Sequence, residues 1–325
     1  MRYLLLDMNN LLWRVAHVTR GSNYDKIGMA AHIIFTSMMH INRNFKVDHV
    51  VVCYDGQSWR KKVDPRYKLN RKVIEQARTK DEQEFVEMLY ALNSDISEFF
   101  EKNTNVTVLK NGILEADDLV AGWIKIHPND DHIIYSSDKD FIQLLSSNVS
   151  IHNGIDGTTY TIHDTLKDGK PKLDKNKKPV GPIDPEYFLF EKIIRGDTSD
   201  NIKPSYPGVR KKGSSKRVGI IEAFEDRHDK GFAWNNFMNA TWTNEDGDDV
   251  IVKDAFAHNK FLIDLGEQPD YVMEAIAETI GETYDKPPVS MVGIKFLKFC
   301  NKYNLESLAE NASTIATILN KGNIK

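Results

Sequence analysis

Cysteine is scarce in this sequence, and paired histidines are absent from it. Cys53 and Cys300 are the only cysteines among 325 residues, and they lie far apart. Two distant thiols build neither a disulfide framework nor a thiolate zinc site, so both classes of protein are disfavoured. The ten histidines show no HxH or HxxxH spacing, so a histidine-based metal site is not indicated either.

Long apolar runs are also missing. The N-terminal run YLLLDMNNLLWR is interrupted by Asp7, Asn9, Asn10 and Arg14, and no stretch reaches the roughly 18 apolar residues of a membrane span. We therefore expect neither a signal peptide nor a transmembrane helix. No internal repeat occurs. With 41% hydrophobic residues, the chain can bury a sizeable core as one large or two smaller domains.

The formal charge is only −4, but this average hides strong patterning. The span from Arg60 to Lys80 holds nine basic and two acidic residues, and the span from Lys203 to Arg217 holds six basic and none acidic. A third basic stretch, DGKPKLDKNKKPVGP at 168–182, has the Gly and Pro residues of an exposed loop or hairpin. Basic runs are typical of solvated faces or of surfaces that bind polyanions.

Four short apolar runs predict β-strands. They are YLLLD (3–7), HVVVCYD (49–55), VTVLK (106–110) and HIIYSSD (132–138). Helix-like stretches lie between them, so the sequence predicts an α/β fold with a central, mostly parallel twisted sheet and helices on both faces. Ligands of such sheets bind at the carboxyl ends of the strands. Asp7, Asp55 and Asp138 should therefore converge at one edge.

Residues 113–124, ILEADDLVAGWI, predict a largely buried helix that begins with three carboxylates. One acid would be enough to complement the amino end of a helix. Three clustered acids are unfavourable unless a cation lies among them. From this segment alone, a solvated helix end and a metal site remain open.

The remaining acids come from two further motifs. SSDKDFIQLL adds Asp140 to Asp138, and RGDTSDN adds two more, so the set comprises Asp7, Asp55, Glu115, Asp117, Asp118, Asp138, Asp140, Asp197 and Asp200. Without these nine acids the formal charge would be +5 instead of −4. Oxygen ligands without His or Cys favour Mg²⁺ or Mn²⁺.

The order of six motifs supports a specific resemblance. LLLDMNNLLWR, VVCYDG, PRYKLNR, LEADDLVA, SSDKDFIQLL and GDTSDNI resemble the 5′-nuclease family of flap endonucleases and polymerase-associated 5′ to 3′ exonucleases. The T-even phage branch fits best, because NKFLIDLGEQPDYV at 259–272 and the helix-rich tail are similar to it as well. The resemblance covers nearly the whole chain, with its strongest motifs between 3 and 203.

The resemblance implies a domain organisation. A PIN-like catalytic domain would span 1–190, with a helical arch at about 60–105 through or under which a single-stranded 5′ end passes. A helical C-terminal domain would span 191–325 and carry a helix-three-turn-helix DNA-binding motif at about 197–226.

The resemblance also implies an activity. The chain would be a structure-specific 5′ to 3′ exonuclease and flap endonuclease that removes RNA primers and 5′ flaps during phage DNA replication. Two Mg²⁺ ions, replaceable by Mn²⁺, would support phosphodiester hydrolysis that leaves 5′-phosphate and 3′-hydroxyl ends. One ion would lie near Asp7, Asp55, Glu115 and Asp117, and the other near Asp138, Asp140, Asp197 and Asp200. Asp118 would lie outside the residues that bind either ion directly.

The resemblance implies a role for each of the two long basic runs. In PRYKLNR, Lys68 and Arg71 match family residues that reach toward the scissile phosphate, and Arg78 and Lys80 would continue the arch. Tyr67 would stack on an unpaired base or anchor the segment in the core. In the helix-three-turn-helix, the implied contacts to duplex phosphates are Gly208, Lys211, Lys212, Gly213, Ser214, Ser215, Lys216 and Arg217. About four extra residues precede Gly208, so the resemblance does not carry over the monovalent cation that many relatives hold in this loop.

The expected partners are branched or nicked duplex DNA and RNA–DNA hybrids with a free 5′ end, together with the phage single-strand-binding protein and sliding clamp. We expect a monomer without membrane contact in the host bacterial cytoplasm. Two other functions stay open: a non-catalytic DNA-binding replication accessory protein with structural ions, and a PIN-type ribonuclease. An aspartyl-phosphate phosphatase is disfavoured, because Asn9 stands where that class needs a second Asp.

Overall fold

A computed structural model describes residues 1–18, 21–206, 219–244 and 246–322, without the side chains of 15–18. The chain forms two compact units. The first unit comprises Met1–Ser58, Arg78–Ile183 and Pro269–Lys325, and the second comprises Trp59–Ala77 and Asp184–Gln268. This grouping differs from the predicted domains at 1–190 and 191–325, because the C-terminal tail contributes its apolar side chains to the core of the first unit.

An eight-stranded sheet organises the first unit, in the order β3-β2-β1-β4-β5-β6-β7-β8. The strands from β3 to β5 in this order are parallel, and β6 to β8 are added antiparallel. The prediction of an α/β fold with a mostly parallel sheet is therefore confirmed. The strands are β1 Arg2–Asp7, β2 His49–Tyr54, β3 Thr107–Lys110, β4 Asp131–Tyr135, β5 Val149–Asn153, β6 Thr158–Tyr160, β7 Thr165–Lys167 and β8 Lys170–Pro171.

Helices alternate with the parallel strands. Up to the end of the sheet they are α1 Met8–Val18, α2 Asn23–Phe45, α3 Arg60–Val63, α4 Leu69–Gln76, α5 Lys80–Asn103, α6 Ala116–Ile126 and the 3₁₀ helix η1 Lys139–Leu144. The later helices are α7 Pro185–Arg195, α8 Ile220–Glu225, α9 Phe232–Met238, α10 Val252–Ile263, α11 Asp270–Tyr284, α12 Val292–Lys302, α13 Glu306–Glu310 and α14 Ala312–Leu319. The predicted arch region of 60–105 corresponds to α3, α4 and α5, of which the first two belong to the second unit.

Both long helices of the first unit begin at capping boxes. Ser22 accepts a hydrogen bond from the Asp25 N–H, while the Asp25 carboxylate accepts one from the Ser22 N–H. Thr79 and Glu82 make the same reciprocal pair before α5. These bonds satisfy N–H groups that have no partner within the helix, so they fix where α2 and α5 start.

The core of the first unit joins segments that are distant in sequence. Alternate residues of a strand point to opposite faces of a sheet. Leu4 and Leu6 pack on one face with α2, α5, α12 and α14, whereas Tyr3 points to the other face and contacts Trp123 of α6. Helices therefore cover both faces. Phe35 of α2 lies at the centre of an aromatic cluster completed by Phe99, Phe100, Phe296 and Phe299.

The second unit is mainly helical. Its apolar clusters join α7, α8, α9 and α10, and one of them includes Tyr67 of the basic segment. A two-stranded antiparallel sheet, β9 Thr241–Thr243 with β10 Asp249–Ile251, completes it. Much of the predicted helix-three-turn-helix at 197–226 lies outside the described residues, so that motif stays a prediction. None of the described helices combines the length and apolar character that a membrane crossing requires.

The tail should be essential to the stability of the first unit. Phe296 is fully buried against Phe35, whereas Ile294 on the same helix is 54% exposed. We expect Phe296→Ala to lower the free energy of unfolding by about 3–5 kcal/mol, because it leaves a cavity. Ile294→Ala should lower it by about 0.5 kcal/mol or less. Urea denaturation followed by circular dichroism tests this, and equal costs for the two variants would contradict the described core.

Candidate active site

Two aspartates lie where β1 and β2 end. Asp7 pairs with Cys53 across the parallel strands, and Asp55 follows β2 directly. Asp7 is buried, and its carboxylate accepts hydrogen bonds from the Asn10 N–H (3.0 Å) and the Ser136 hydroxyl (3.3 Å). The register therefore places the two acids at the same edge of the sheet, as the sequence predicts.

The electrostatic environment of Asp7 is unfavourable for a charge. Burial, followed by the charge of Asp55, raises the pKa of Asp7 to about 7, and the charge of Asp138 adds to the shift. Hydrogen bonds from Asn10 and Ser136 act in the opposite direction but do not offset these effects. The causes of this shift place Asp55 and Asp138 near enough to Asp7 to repel its charge.

Asp55 connects the end of β2 to the start of α6. One of its oxygens accepts a hydrogen bond from the Ala116 N–H (2.7 Å), and the other accepts one from the Asn9 side-chain amide (2.7 Å). Ala116 is the first residue of α6, so its N–H has no partner within the helix. The charge of Asp55 is therefore held at the positive end of this helix dipole.

Three further carboxylates surround the start of α6. Within the described ranges, Glu115, Asp117 and Asp118 form the one group suited to a metal ion, with one oxygen from each within 4.8 Å of the others. Glu115 is buried and accepts a hydrogen bond from the Ser58 hydroxyl (2.6 Å). Asp118 is fully buried and accepts one from the Glu115 N–H (2.9 Å). Asp118 thus has a helix-capping role beside any role at a metal.

Asp138 and Asp140 follow β4 at the same edge of the sheet. The Asp138 N–H donates to the Ser136 hydroxyl (3.1 Å), and the Asp138 carboxylate accepts from the Asp140 N–H (2.9 Å) at the start of η1. Ser136 also bonds to Asp7. One serine therefore links the acids that follow β1 and β4.

The sequence interpretation did not include the polar residues that hold these acids in place. They are Asn9, Asn10, Ser58 and Ser136, each bonded to an acid of the set or to its backbone. A signal was present, since Asn9 and Asn10 follow the end of β1 by two and three positions and Ser136 precedes Asp138 by two. Asn10 also accepts hydrogen bonds from the Ser137 N–H and hydroxyl.

The donor set of the first unit fits a hard divalent cation. All the candidate ligands are carboxylate oxygens, which Mg²⁺, Mn²⁺ and Ca²⁺ prefer over nitrogen or sulfur. Several of the acids are buried, and burial together with repulsion from Asp55 and Asp138 raises the pKa of Asp7. A cation among them would remove this repulsion.

Asp197 and Asp200 lie in the second unit, in a short loop after α7. The Asp197 carboxylate pairs with Lys192 (2.8 Å) and accepts hydrogen bonds from the Ser199 N–H and hydroxyl. Burial acts to raise its pKa, but these partners outweigh burial and lower the pKa of Asp197 to about 2. Asp197 therefore remains charged at neutral pH.

Asp200 contacts the predicted basic residues of PRYKLNR. Its carboxylate accepts from Arg71 (2.9 Å) and from the Tyr67 hydroxyl (3.0 Å), and the Lys68 ammonium lies 3.6 Å away. The Lys68 N–H also donates to the Asp200 carbonyl (2.8 Å). Lys68 has a φ of 56°, in the left-handed region that non-glycine residues seldom adopt. The structure thus brings both proposed catalytic residues to one carboxylate.

Of the other predicted DNA contacts, the structure describes Tyr67, Arg78 and Lys80. Tyr67 is 4% exposed and packs with Ile193 and Leu262. This packing matches the anchoring interpretation, and base stacking would require the ring to leave its cluster. The Arg78 guanidinium lies over Trp13 (5.7 Å to the ring centre), and Lys80 is exposed at the start of α5. Outside the described residues lie Gly208, Lys211, Lys212, Gly213, Ser214, Ser215, Lys216 and Arg217.

Comparison with known proteins identifies a family model and individual relatives. Residues 2–169 match the model of the 5′-3′ exonuclease N-terminal resolvase-like domain. A 5′-3′ exonuclease of Mycoplasmopsis pulmonis is 25% identical over 227 residues, which cover 69% of this chain and 68% of the relative. A flap endonuclease of Escherichia phage T5 is 28% identical over 225 residues, which cover 68% and 69% of the two chains.

A solved structure supports the same fold. The bacteriophage T5 flap endonuclease, crystallised as a pseudo-enzyme-product complex with DNA and metal ions, superposes with a TM-score of 0.58. The match covers 98% of this chain and 100% of the solved chain at 19% sequence identity. At this level of identity, the likeness establishes the fold.

Gly56, next to Asp55, should be required for the geometry of the acid cluster. A Cβ at Gly56 would overlap with the Asn111 carbonyl oxygen and approach that of Leu114 to 2.9 Å. We expect Gly56→Ala to lower the free energy of unfolding by about 1–3 kcal/mol, because the backbone must shift. At Gly112 in the same region, a Cβ meets no described atom within 4 Å. Gly112→Ala should therefore stay within about 0.5 kcal/mol of the parent in urea denaturation, and a similar loss in both variants would contradict this packing.

Proposed function

The chain belongs to the 5′-3′ exonuclease family, and we propose that it is a structure-specific 5′-nuclease that removes RNA primers and 5′ flaps during phage DNA replication. Nuclease activity follows from the family. The substrate structure, the RNA primers and the phage context are proposals. Among the matched relatives, the phage T5 protein is named as a flap endonuclease, which supports the choice of branched DNA.

The grouping of carboxylates at the start of α6 is the observation that carries this proposal. Glu115, Asp117 and Asp118 present oxygens within 4.8 Å of one another, and Asp55 is bonded to the first residue of the same helix. We propose that Asp7, Asp55, Glu115 and Asp117 lie near one divalent ion and that Asp138, Asp140, Asp197 and Asp200 lie near a second, with Asp118 outside the residues that bind either ion directly. Mg²⁺ is the expected ion, with Mn²⁺ able to replace it.

The acids and the polar residues bonded to them have different proposed roles in hydrolysis. When bound, two divalent ions supply an activated water and stabilise charge on the oxygens of the phosphodiester. The acids hold the ions in place, and Asn9, Ser58 and Ser136 hold the acids through hydrogen bonds. Among the acids, Asp197 is kept ionised by Lys192 and Ser199.

Lys68 and Arg71 are proposed to act on the scissile phosphate. Lys68 offers a compact positive charge, and Arg71 offers a planar fork that matches two phosphate oxygens. Their present partner is the Asp200 carboxylate, so both side chains already contact an oxygen anion. Such preorganised donors stabilise negative charge that develops in the transition state.

The proposed substrates are branched or nicked duplex DNA and RNA–DNA hybrids with a free 5′ end. The phage T5 relative was crystallised with DNA, which supports a DNA substrate. The basic residues from Lys211 to Arg217 are proposed to contact duplex phosphates, with the phage single-strand-binding protein and sliding clamp as further partners. Family membership favours this function over a non-catalytic DNA-binding accessory protein.

The proposed role of the acids can be tested by measuring cleavage and duplex binding separately. We expect Asp140→Asn and Asp197→Asn each to reduce Mg²⁺-dependent cleavage of a 5′-flap duplex by about 10²-fold or more, by analogy with removal of one preorganised group. Duplex binding should persist or tighten, since a negative charge is removed near a polyanion. Asp246→Asn, in an exposed turn of the second unit, is the control. Parallel loss of binding and cleavage in a folded variant would count against the metal assignment.

Lys68 can be tested by single-turnover cleavage at saturating enzyme. If Lys68 acts only as charge develops, Lys68→Ala should slow the step by roughly 10²-fold with little change in duplex affinity. Lys61→Ala removes an exposed lysine from the same basic run and should cleave at the parent rate. A Lys68→Ala rate within about threefold of the parent, or rescue by low salt, would assign Lys68 to general phosphate binding.

Nicked duplex and RNA–DNA hybrid substrates, with and without Mg²⁺, would define the preferred substrate.

A further inference from the structure

The basic segment 66–71 is bound to the acidic loop 197–201 by more than ion pairs. Asn70 donates its side-chain amide to the carbonyl oxygens of Thr198 (3.0 Å) and Ser199 (3.2 Å). From the other side, Asn201 donates its side-chain amide to the Arg66 carbonyl (2.8 Å). Both segments belong to the second unit.

The amide bonds of Asn70 and Asn201 lie next to the contacts that Lys68 and Arg71 make with Asp200. The Lys68 N–H donates to the Asp200 carbonyl, and the Tyr67 and Arg71 side chains donate to the Asp200 carboxylate. The acidic loop is also closed on itself, because Asp197 and Ile202 exchange backbone hydrogen bonds of 2.9 and 2.7 Å. The basic segment is therefore attached to a short, closed loop.

The backbone is strained on both sides of this contact. Lys68 has a φ of 56° and Asn201 a φ of 59°. Left-handed residues other than glycine persist where surrounding contacts determine them, and they concentrate at functional sites. Asparagine tolerates this conformation better than most residues, but lysine does not share that tolerance. Asn70 and Asn201 make their bonds on either side of Lys68 in the basic segment, at Asn70 itself and at the Arg66 carbonyl.

From this geometry we propose that Asn70 and Asn201 are positioning residues that fix Lys68 and Arg71 relative to Asp197 and Asp200. We name this pair the amide clip. The proposal rests on the proposed function, in which Lys68 and Arg71 act on the scissile phosphate. The clip residues act through the backbone carbonyls that they hold, because a side-chain amide that donates to a carbonyl brings no charge to the reaction.

The alternative is that Asn70 and Asn201 only stabilise the fold. A structural role would lower stability without changing the rate of the folded enzyme. A positioning role lowers the rate of the chemical step at saturating enzyme and leaves duplex affinity nearly unchanged. It also predicts that loss of Asn70 matters less once Lys68 is absent, since residues that act as one unit are not additive.

The variants are chosen to remove single amides. Asn70→Ala removes the first amide, and Asn201→Gly removes the second while keeping access to a positive φ. Asn235→Ala is the matched control, because the Asn235 amide also donates to two carbonyls, those of Lys230 and Gly231, within its own helix start. Asn70→Ser removes the amide without adding a charge, and it substitutes for Asn70→Ala if that variant does not fold.

The first measurement does not depend on activity. Amide hydrogen exchange is followed in EDTA, with the Lys68 N–H as the reporter because it donates to the Asp200 carbonyl. We expect exchange at Lys68 and across 197–202 to accelerate by about tenfold in Asn70→Ala and Asn201→Gly, because local opening becomes easier. Asn235→Ala should leave exchange at these positions unchanged.

The second measurement is single-turnover cleavage of a 5′-flap duplex with the same variants. We expect a decrease of about tenfold or more for Asn70→Ala and Asn201→Gly, with duplex affinity within about threefold of the parent. In a Lys68→Ala background, Asn70→Ala should add less than about threefold.

The outcomes separate the two proposals. If both clip variants match Asn235→Ala in exchange and in rate, the amide clip is overturned. Faster exchange with an unchanged rate would also overturn the positioning role, since the restraint would then be structural only. If the parent chain cleaves no flap substrate, the proposed function fails, and the exchange result alone decides whether the clip restrains Lys68.

Discussion

Repulsion among carboxylates at one edge of a parallel sheet is the constraint on which the rest of the first unit depends. The register that pairs Asp7 with Cys53 places the ends of β1 and β2 side by side, and burial with the charge of Asp55 raises the pKa of Asp7 to about 7. Such an arrangement persists because each acid is held by a fixed donor. Asn9 and the N–H of Ala116 hold Asp55, while Ser136 and the N–H of Asn10 hold Asp7.

The hydrophobic core of the first unit stabilises the fold against the repulsion among these carboxylates. Phe35 packs against Phe296 and Phe299, which belong to the C-terminal tail, so the tail stabilises a sheet that precedes it by more than a hundred residues. Burial of one such side chain contributes about 1.5–3 kcal/mol. The raised pKa of Asp7, caused by burial and then by the charge of Asp55, lowers the free energy of unfolding at neutral pH. The large core of the first unit therefore offsets the repulsion among the carboxylates at the edge of the sheet.

The sequence predicted those parts of the molecule that depend on local pattern. Apolar runs that end in aspartate identified β1, β2 and β4 together with their acids, and ILEADDLVAGWI identified α6 with its carboxylates. The sequence left 168–182 open between an exposed loop and a hairpin, and the structure forms an antiparallel pair of β7 with β8 at its start. Strand β6 was not predicted, because it is only three residues long and lies in a segment rich in Thr and Gly. The grouping of the tail with the first unit was not predicted either, since contacts such as Phe35 with Phe296 have no local signature. The same holds for Asn70 and Asn201, whose role depends on which carbonyls the fold brings to them.

The acids of the first unit and the basic segment of the second are positioned by different means, and this difference has a physical consequence. Asp7 is the last residue of buried β1 and Asp55 follows buried β2, so the sheet fixes the backbone at both positions. Lys68 stands in a left-handed conformation, which costs about 1–2 kcal/mol for a residue with a side chain. A typical hydrogen bond contributes about 0.5–1.5 kcal/mol net, so the three amide bonds from Asn70 and Asn201 are of the size needed to offset this strain. Loss of one of them reduces this offset, so we expect the basic segment to open more readily in such a variant.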